Sequence, residues 1–157
     1  MTAQRQSVTL TREPRGDLYR ALLVEALRQC NRFSLVQRSE CIVDESAKAL
    51  LAELSPHLRE ERSASEWPGT KLLSDTAILR EYELSEATLA ILGSAAAGLY
   101  DWCQPRRPED LTFWRASREP WLVTIAHERD AYFEVTPAEW DELLRRVPAL
   151  SSAIETS

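Results

Sequence analysis

Four stretches of the chain repeat apolar residues at the spacing of one helix face, and each predicts an α-helix. Their apolar positions are Leu18, Leu22, Leu23, Ala26, Leu27 and Cys30; Ala47, Leu50, Leu51, Leu54 and Leu58; Leu89, Leu92, Ala96, Leu99, Tyr100 and Cys103; and Trp140, Leu143, Leu144 and Val147. Asp17 and Ser85 stand where they can cap the first and third helices. The segment Thr136-Pro137-Ala138-Glu139 is a capping box that starts the fourth helix. Ser55-Pro56 predicts a break near the end of the second helix.

Alternating polar and apolar residues predict β-strands in five places. These strands cover residues 33–38, 78–84, 111–114, 121–126 and 131–135. The last two flank His127-Glu128-Arg129-Asp130 and predict a hairpin with a four-residue turn. Residues 60–70 are polar and contain the turn signal Pro68-Gly69, which predicts a loop.

The order of these elements is helix, strand, helix, strand, helix, three strands and helix. Hairpin-linked strands favour antiparallel pairing, so we expect an α+β fold with a mostly antiparallel sheet of about five strands and helices packed mainly on one face. Residues 1–12 are polar and predict a flexible N-terminal arm. Residues 13–150 predict a single domain, and residues 151–157 predict a C-terminal tail.

The cationic residues are almost all arginine, and two explanations compete for this bias. Lys48 and Lys71 are the only lysines among the 19 Lys and Arg residues. Clustered arginines bind phosphates, but these are scattered along a chain with a formal net charge of −6, which argues against nucleic acid as a partner. We prefer the second explanation, a GC-rich bacterial genome whose codons favour arginine.

Apolar runs and cysteines indicate where the protein resides. No apolar run is long enough to span a bilayer, and residues 1–17 contain no hydrophobic signal core. We therefore expect a cytoplasmic protein with no membrane partner. Cys30, Cys41 and Cys103 lack the spacing of a metal site, so we expect buried thiols rather than disulfides or metal ligands. No cofactor and no metal are expected.

Candidate catalytic residues are few in this sequence. His57 and His127 are the only histidines, and His127-Glu128 lacks the second histidine of the zinc-protease motif because position 131 is Ala. The sequence also contains no nucleophile elbow, Walker loop or dinucleotide-binding glycine pattern. Neighbouring carboxylates such as Glu109-Asp110 are expected to be solvated, because exposure is the default for charged side chains. The sequence thus predicts no catalytic residues and favours a binding protein over an enzyme.

Two charged loops contain residues that folding does not require. They supply a predicted partner-binding surface made of Glu66, Trp67, His127, Glu128, Arg129 and Asp130. The carboxylates of this surface would steer a basic partner. Trp67 has two interpretations: an anchor tucked over the core, which we favour, or an exposed interface contact.

Four short segments resemble parts of small uncharacterised bacterial proteins that are found beside toxin or defence genes. They are Ser-Glu-Trp-Pro-Gly-Thr at 65–70, Leu-Tyr-Asp-Trp at 99–102, Pro-Glu-Asp-Leu at 108–111 and Pro-Trp-Leu-Val-Thr-Ile-Ala-His-Glu at 120–128. The resemblance implies an immunity protein that neutralises a cognate toxin by stoichiometric binding, and it supplies no catalytic residues. Two alternatives stay open: an adaptor or chaperone for an effector protein, and a small enzyme that uses Cys-His or carboxylate chemistry around His127.

Overall fold

The computed structural model describes residues 4–39 and 42–154, so the expectation for Cys41 lies outside the described residues. Within this part of the chain, nine strands form two sheets. They are β1 (Gln6–Thr9), β2 (Arg32–Arg38), β3 (Leu58–Ala64), β4 (Glu66–Trp67), β5 (Thr70–Lys71), β6 (Ala77–Glu83), β7 (Glu109–Trp114), β8 (Pro120–Ile125) and β9 (Asp130–Val135). Seven of them form an antiparallel sheet in the order β1-β9-β8-β7-β2-β6-β3, and β4 pairs with β5 in a small hairpin.

Four α-helices accompany the sheet in the described residues, which confirms the α+β class. They are α1 (Asp17–Gln29), α2 (Glu45–Leu54), α3 (Glu86–Ala95) and α4 (Pro137–Arg146). The predicted break after α2 is a 3-10 turn at Ser55–His57. The capping box of α4 forms as predicted, because Thr136 accepts from the Glu139 amide and Glu139 accepts from the Thr136 amide. No helix in the described residues combines the length and apolar character that a transmembrane span requires.

The third helix is shorter than the sequence predicted. The chain leaves α3 after Ala95 rather than continuing to Cys103. One carboxylate explains the early end: an oxygen of Asp101 accepts hydrogen bonds from the amides of Ala97 and Gly98. These two amides therefore bond to a side chain instead of to carbonyls one turn earlier, and the helix cannot continue.

A row of aromatic rings crosses one face of the large sheet and marks the main core. Ring centroids 5.1–6.5 Å apart connect Tyr82, Phe33, Phe113, Trp121, Phe133 and Trp140 in that order. Five of the rings come from the strands β6, β2, β7, β8 and β9, and the sixth comes from α4. Leu143 and Val147 are buried as predicted, whereas Trp140 and Leu144 are only partly buried against this core.

The opposite face of the sheet carries a second, smaller cluster. Leu35 belongs to the main core and Val36 to the second cluster, because successive strand residues point to opposite faces. The β4–β5 hairpin covers this cluster and places Trp67 against Val36. Gly69 turns the hairpin with φ +88°, and a Cβ there would lie 2.5 Å from Ile125 Cγ1. The hairpin therefore lies directly on β8, and only glycine fits at this turn.

Three sequence predictions about strands need correction. The predicted count of about five strands is too low, because the large sheet alone has seven. The predicted loop at residues 60–70 is wrong over most of its length, since Leu58–Ala64 pairs with β6 as an edge strand. Gln6–Thr9, inside the predicted arm, pairs with β9 at the other edge. Neither strand has a continuous apolar face, because edge strands meet solvent, and the charged residues of β3 discourage further pairing at its edge.

Candidate functional site

Charged and aromatic side chains converge at one end of the large sheet. We call this group the carboxylate end; it comprises Arg38, Trp67, Glu109, Asp110 and His127. Arg38 ends β2, Glu109 and Asp110 begin β7, and His127 follows β8. Because these three strands are antiparallel neighbours, the end of β2, the start of β7 and the end of β8 lie together.

A β-bulge in β7 points two consecutive carboxylates toward the same region. Ser34 pairs with Thr112, but Val36 pairs with Glu109, so β7 carries one more residue than β2 over this interval. The extra residue lets Glu109 and Asp110 both point to the sheet face that carries Val36 and Trp67. In a regular strand, two consecutive side chains would point to opposite faces. Asp110 has φ 57°, a left-handed conformation that aspartate tolerates better than most residues.

Asp110 connects the hairpin to the turn after β8. It is fully buried, and its Oδ2 accepts a hydrogen bond of 2.8 Å from the indole Nε1 of Trp67. Its Oδ1 accepts a hydrogen bond of 3.0 Å from the backbone amide of Ala126. Both oxygens thus have partners from segments that are far apart in sequence, which fixes the two segments relative to each other.

Glu109 is also buried, and Arg38 supplies its counter-charge. The Nε of Arg38 lies 3.0 Å from Glu109 Oε2, and the amide of Gln104 donates to Oε1 over 3.4 Å. The guanidinium carbon of Arg38 lies 5.6 Å from the centre of the Trp67 ring, within cation–π range. An Nη2 of the same guanidinium lies 3.3 Å from His127 Nδ1. Arg38 therefore touches every other side chain of the carboxylate end except Asp110.

Burial raises the pKa of both carboxyl groups. For Glu109, burial is the main cause and the charge of Asp110 adds to it, while Arg38 opposes the rise in pKa. For Asp110, burial again outweighs the hydrogen bonds from Trp67 and Ala126, which favour the ionised form and lower the pKa. Two neighbouring carboxylates in a poorly solvated site repel each other, so the pair takes up a proton more readily than exposed acids do.

Three residues of the carboxylate end form a donor set of the kind that binds metal ions. One ligand atom each from Glu109, Asp110 and His127 lies within 4.8 Å of the others. However, the Arg38 guanidinium lies beside both Glu109 and His127, and the Trp67 indole donates to Asp110. A cation and an N–H donor already occupy the positions that a divalent ion would need. These residues therefore fit a hydrogen-bonded structural network better than a metal centre.

The structure places the six predicted partner-binding residues in different environments. Glu66, Glu128 and His127 are exposed, and Asp130 is partly exposed. Trp67 is only 6% exposed, so the structure has the tucked anchor rather than the exposed contact. Arg129 points away from the carboxylate end, because its guanidinium pairs with Glu13 and lies over the Tyr100 ring.

Sequence reasoning missed the residues that organise this site. The expectation that Glu109-Asp110 is solvated is wrong, since both side chains are buried. Arg38 was assigned only to a strand. One signal was available in the sequence: Glu109-Asp110 directly precedes the predicted strand 111–114. A strand that begins two residues earlier carries both carboxylates into the sheet, where they need partners from elsewhere in the fold.

Cys30 agrees with the sequence expectation for a buried thiol, and burial raises its pKa to about 12. Cys103 is partly exposed, and its Sγ lies 3.7 Å from Glu109 Oε1 at the rim of the carboxylate end.

Comparisons with protein-family models, with curated proteins and with solved structures found no match to this chain.

Proposed function

We propose that this protein is a non-catalytic binding protein that neutralises a cognate bacterial toxin by stoichiometric binding, as an immunity protein does. The observation that supports this role is the link made by Asp110 between the Trp67 hairpin and the turn after β8. The link joins the two segments that carry the predicted partner-binding residues. A surface that is fixed before binding loses less conformational entropy on association, so it binds more tightly for the same contacts.

The charge of this surface fits a basic partner. Glu66 precedes Trp67 in the hairpin, and Glu128 and Asp130 lie in or next to the turn, so three carboxylates border the carboxylate end. The formal net charge of the chain is −6. An acidic surface on an acidic protein accelerates association with a basic toxin, such as a nuclease with a positively charged cleft, and selects against acidic proteins.

Two exposed aliphatic side chains can take the contact role that Trp67 would have had if it were exposed. Ile42 is 79% exposed and Leu73 is 98% exposed. The carbonyl of Ile42 accepts from the side-chain Nε2 of Gln104, the residue whose backbone amide donates to Glu109. Leu73 lies between the hairpin and the first residue of β6, which pairs with Arg38. Both therefore lie at the carboxylate end, where they can be buried by a partner.

A small enzyme is the second candidate, and one specific observation favours it. His127 lies within reach of two buried carboxylates whose pKa values are raised, an arrangement found in proton-transfer sites. Against this, Asp110 holds two structural hydrogen bonds and Glu109 is paired with Arg38. Of Glu109, Asp110 and His127, only His127 is exposed enough to meet a substrate. We therefore rank stoichiometric binding above catalysis.

Association kinetics with a toxin test the proposal. Effector proteins encoded beside this gene would be purified and assayed with and without this chain for loss of activity at a one-to-one ratio. The variant Glu66→Gln/Glu128→Gln/Asp130→Asn should associate about tenfold more slowly at low salt, and its rate should depend less on ionic strength. The control Glu53→Gln/Glu86→Gln/Asp141→Asn removes the same charge from exposed helix positions and should associate nearly as fast as the unmodified protein.

Two results would contradict the proposal. The first is sub-stoichiometric inactivation of the toxin with release of a modified product, which is the behaviour of an enzyme. The second is an equal reduction of the association rate by both triple variants, which would mean that net charge rather than this surface directs binding.

A further inference from the structure

The β4–β5 hairpin covers only part of the sheet face that carries Val36. The uncovered part of this face holds a cavity lined by arginines. Its volume is about 370 Å³, which suits a small ligand. We call it the arginine pocket, and its charged and aromatic lining consists of Arg32, Arg62, Arg115, Arg118, Glu81 and Trp114. Arg32 starts β2 and Arg38 ends it, so this pocket lies at the opposite end of the strand from the carboxylate end.

Four cations and one anion line the pocket, a local excess of positive charge on a chain of net charge −6. Not all four arginines are available to a ligand. Arg115 is buried and donates to the carbonyls of Pro120 and Glu134, and Glu139 neutralises its charge at 3.1 Å. Arg115 therefore supports the wall of the pocket and contributes little to ligand binding.

The remaining arginines have donors to spare. Arg32 and Arg62 both contact Glu81 through Nη1, at 3.5 Å and 2.6 Å, and Arg62 Nη1 also lies 3.4 Å from Glu60 at the rim. Each guanidinium has five N–H donors, so the Nη2 and Nε groups of both side chains remain for an anion. Arg118 is exposed, and its guanidinium makes no hydrogen bond or ion pair with the described residues.

Glu81 fixes the two strand arginines in place. Burial alone would raise its pKa, but the hydrogen bond and charge of Arg62, with further help from Arg32, lower it overall. Glu81 is consequently ionised at neutral pH, and it orders both guanidinium groups without neutralising the whole cluster. Arginines that are already ordered lose less side-chain entropy when they bind an anion.

An aromatic wall completes the site. Trp114 is directly opposite Arg32 in the β2–β7 pairing, and its Nε1 donates to Ser34 Oγ over 2.8 Å. This bond holds the indole in one orientation beside the guanidinium groups. A fixed aromatic surface next to planar cations can stack against a flat ring.

We infer that the arginine pocket binds a small phosphorylated ligand that carries a planar ring, with its phosphate at Arg32, Arg62 and Arg118 and its ring against Trp114. Arginine is the residue best suited to bidentate phosphate recognition. The pocket volume accommodates a ligand the size of a mononucleotide. The inference concerns the opposite end of the molecule from the proposed toxin-binding surface and does not depend on that function.

Nuclear magnetic resonance titration of the full chain tests this inference, with AMP, ribose 5-phosphate, inorganic phosphate and adenosine as probes. AMP should bind saturably and shift the Trp114 indole N–H signal, which the Trp114→Phe variant identifies. Ribose 5-phosphate and inorganic phosphate should bind at the same place at least threefold more weakly, because they lack the ring. Adenosine should show no binding at the same concentrations.

Matched variants then locate the phosphate. Arg118→Gln and Arg32→Gln should each weaken AMP binding about tenfold, the effect expected for loss of a charge-assisted hydrogen bond. Arg145→Gln, an exposed arginine on α4, should change it less than twofold. The inference fails if AMP and inorganic phosphate do not saturate at millimolar concentration, if Arg145→Gln weakens binding as much as Arg118→Gln, or if adenosine binds as well as AMP. Equal affinity for AMP and ribose 5-phosphate would overturn the role given to Trp114.

Discussion

The two ends of strand β2 carry an arginine on the same face of the sheet, yet the two arginines have opposite surroundings. The side chain of Arg38 is 13% exposed and lies beneath a covered site with two buried carboxylates. The side chain of Arg32 is 32% exposed and borders an open cavity where arginines outnumber acids. The difference comes from the β4–β5 hairpin, which covers only one half of this face. One short hairpin thus separates a covered, ion-paired cluster from a charged cavity that is open to solvent.

The largest loss of stability is expected from removing the Asp110 carboxylate, which holds the β4–β5 hairpin against the sheet through Trp67. Asp110→Ala leaves the Trp67 indole N–H and the Ala126 amide without acceptors and forces alanine into a left-handed conformation. Together these changes should lower the free energy of unfolding by about 4 kcal/mol. Asp110→Asn is the matched control, since asparagine keeps one acceptor oxygen and tolerates this conformation, and it should cost about 2 kcal/mol. Urea denaturation measures both values, and a loss below about 1 kcal/mol for alanine would show that the link is unimportant.

A pair of tryptophans sharpens the comparison between the covered and open halves. Each donates its indole N–H over 2.8 Å to a polar side chain on the second face: Trp67 to Asp110, and Trp114 to Ser34. Trp67→Ala should cost about 3 kcal/mol, as large core aromatics do, because it removes the covering residue. Trp114→Ala should cost about 1 kcal/mol, since Trp114 is only partly buried and borders the open pocket. Equal losses in urea denaturation would mean that the hairpin does not distinguish the two halves.

The two ends should also respond to pH with opposite signs. The pKa of Glu109 is raised, mainly by burial, so the folded state holds a proton that the unfolded state releases above its pKa of about 4. Glu109 therefore lowers the free energy of unfolding as pH rises from the unfolded-state pKa of about 4 to the raised pKa of the folded state. The pKa of Glu81 is lowered overall despite its burial, through Arg62 and Arg32. Glu81 therefore adds stability above the unfolded-state pKa of about 4, and that stability is lost as pH falls through the lowered pKa.

Single neutral variants separate these contributions. Urea denaturation from pH 3 to pH 8 should show that Glu109→Gln makes the fall in stability with rising pH less steep than in the unmodified protein. Glu81→Gln should instead reduce the loss of stability on acidification. The same slope change from both variants would contradict the opposite electrostatic environments of the two ends.

The smallest effect concerns thiol reactivity. Burial raises the pKa of Cys30 to about 12, so almost no thiolate exists at neutral pH. In a variant with Cys41→Ser and Cys103→Ser, the remaining Cys30 should react with a thiol reagent only as fast as the protein unfolds. The extent of thiol modification in samples quenched over several hours checks this. Rapid modification in native buffer would show that Cys30 is accessible.

The sequence was sufficient for elements whose pattern is local. The last hairpin and the capping box at Thr136 could be predicted because period-two alternation and cap chemistry depend only on neighbouring residues. The edge strand Leu58–Ala64 could not, since its pairing with β6 stabilises it although its own pattern is charged. Tertiary context overrode local propensity at both edges of the sheet.

The candidate site was harder to predict than the fold. The exposure of Glu66 and Glu128 follows from the polar sequence around them. The burial of Glu109 and Asp110 does not, because their compensating groups, Arg38, Trp67 and the Ala126 amide, come from other parts of the chain. A carboxylate is buried only where the fold supplies partners, and a single sequence does not reveal which residues these will be.

Hydrogen exchange of the two N–H groups that donate to Asp110 tests most directly whether this carboxylate holds the hairpin and the turn after β8 together. The Trp67 indole N–H and the Ala126 backbone N–H should both exchange only through global or near-global unfolding in the unmodified protein, because both are buried and hydrogen-bonded. In Asp110→Asn, which has one acceptor oxygen for two donors, at least one of them should exchange more than tenfold faster than the sheet amides of β8. Rapid exchange of the Trp67 indole in the unmodified protein, with the β8 amides still protected, would show that the hairpin opens freely and that the two loops do not form one preorganised surface.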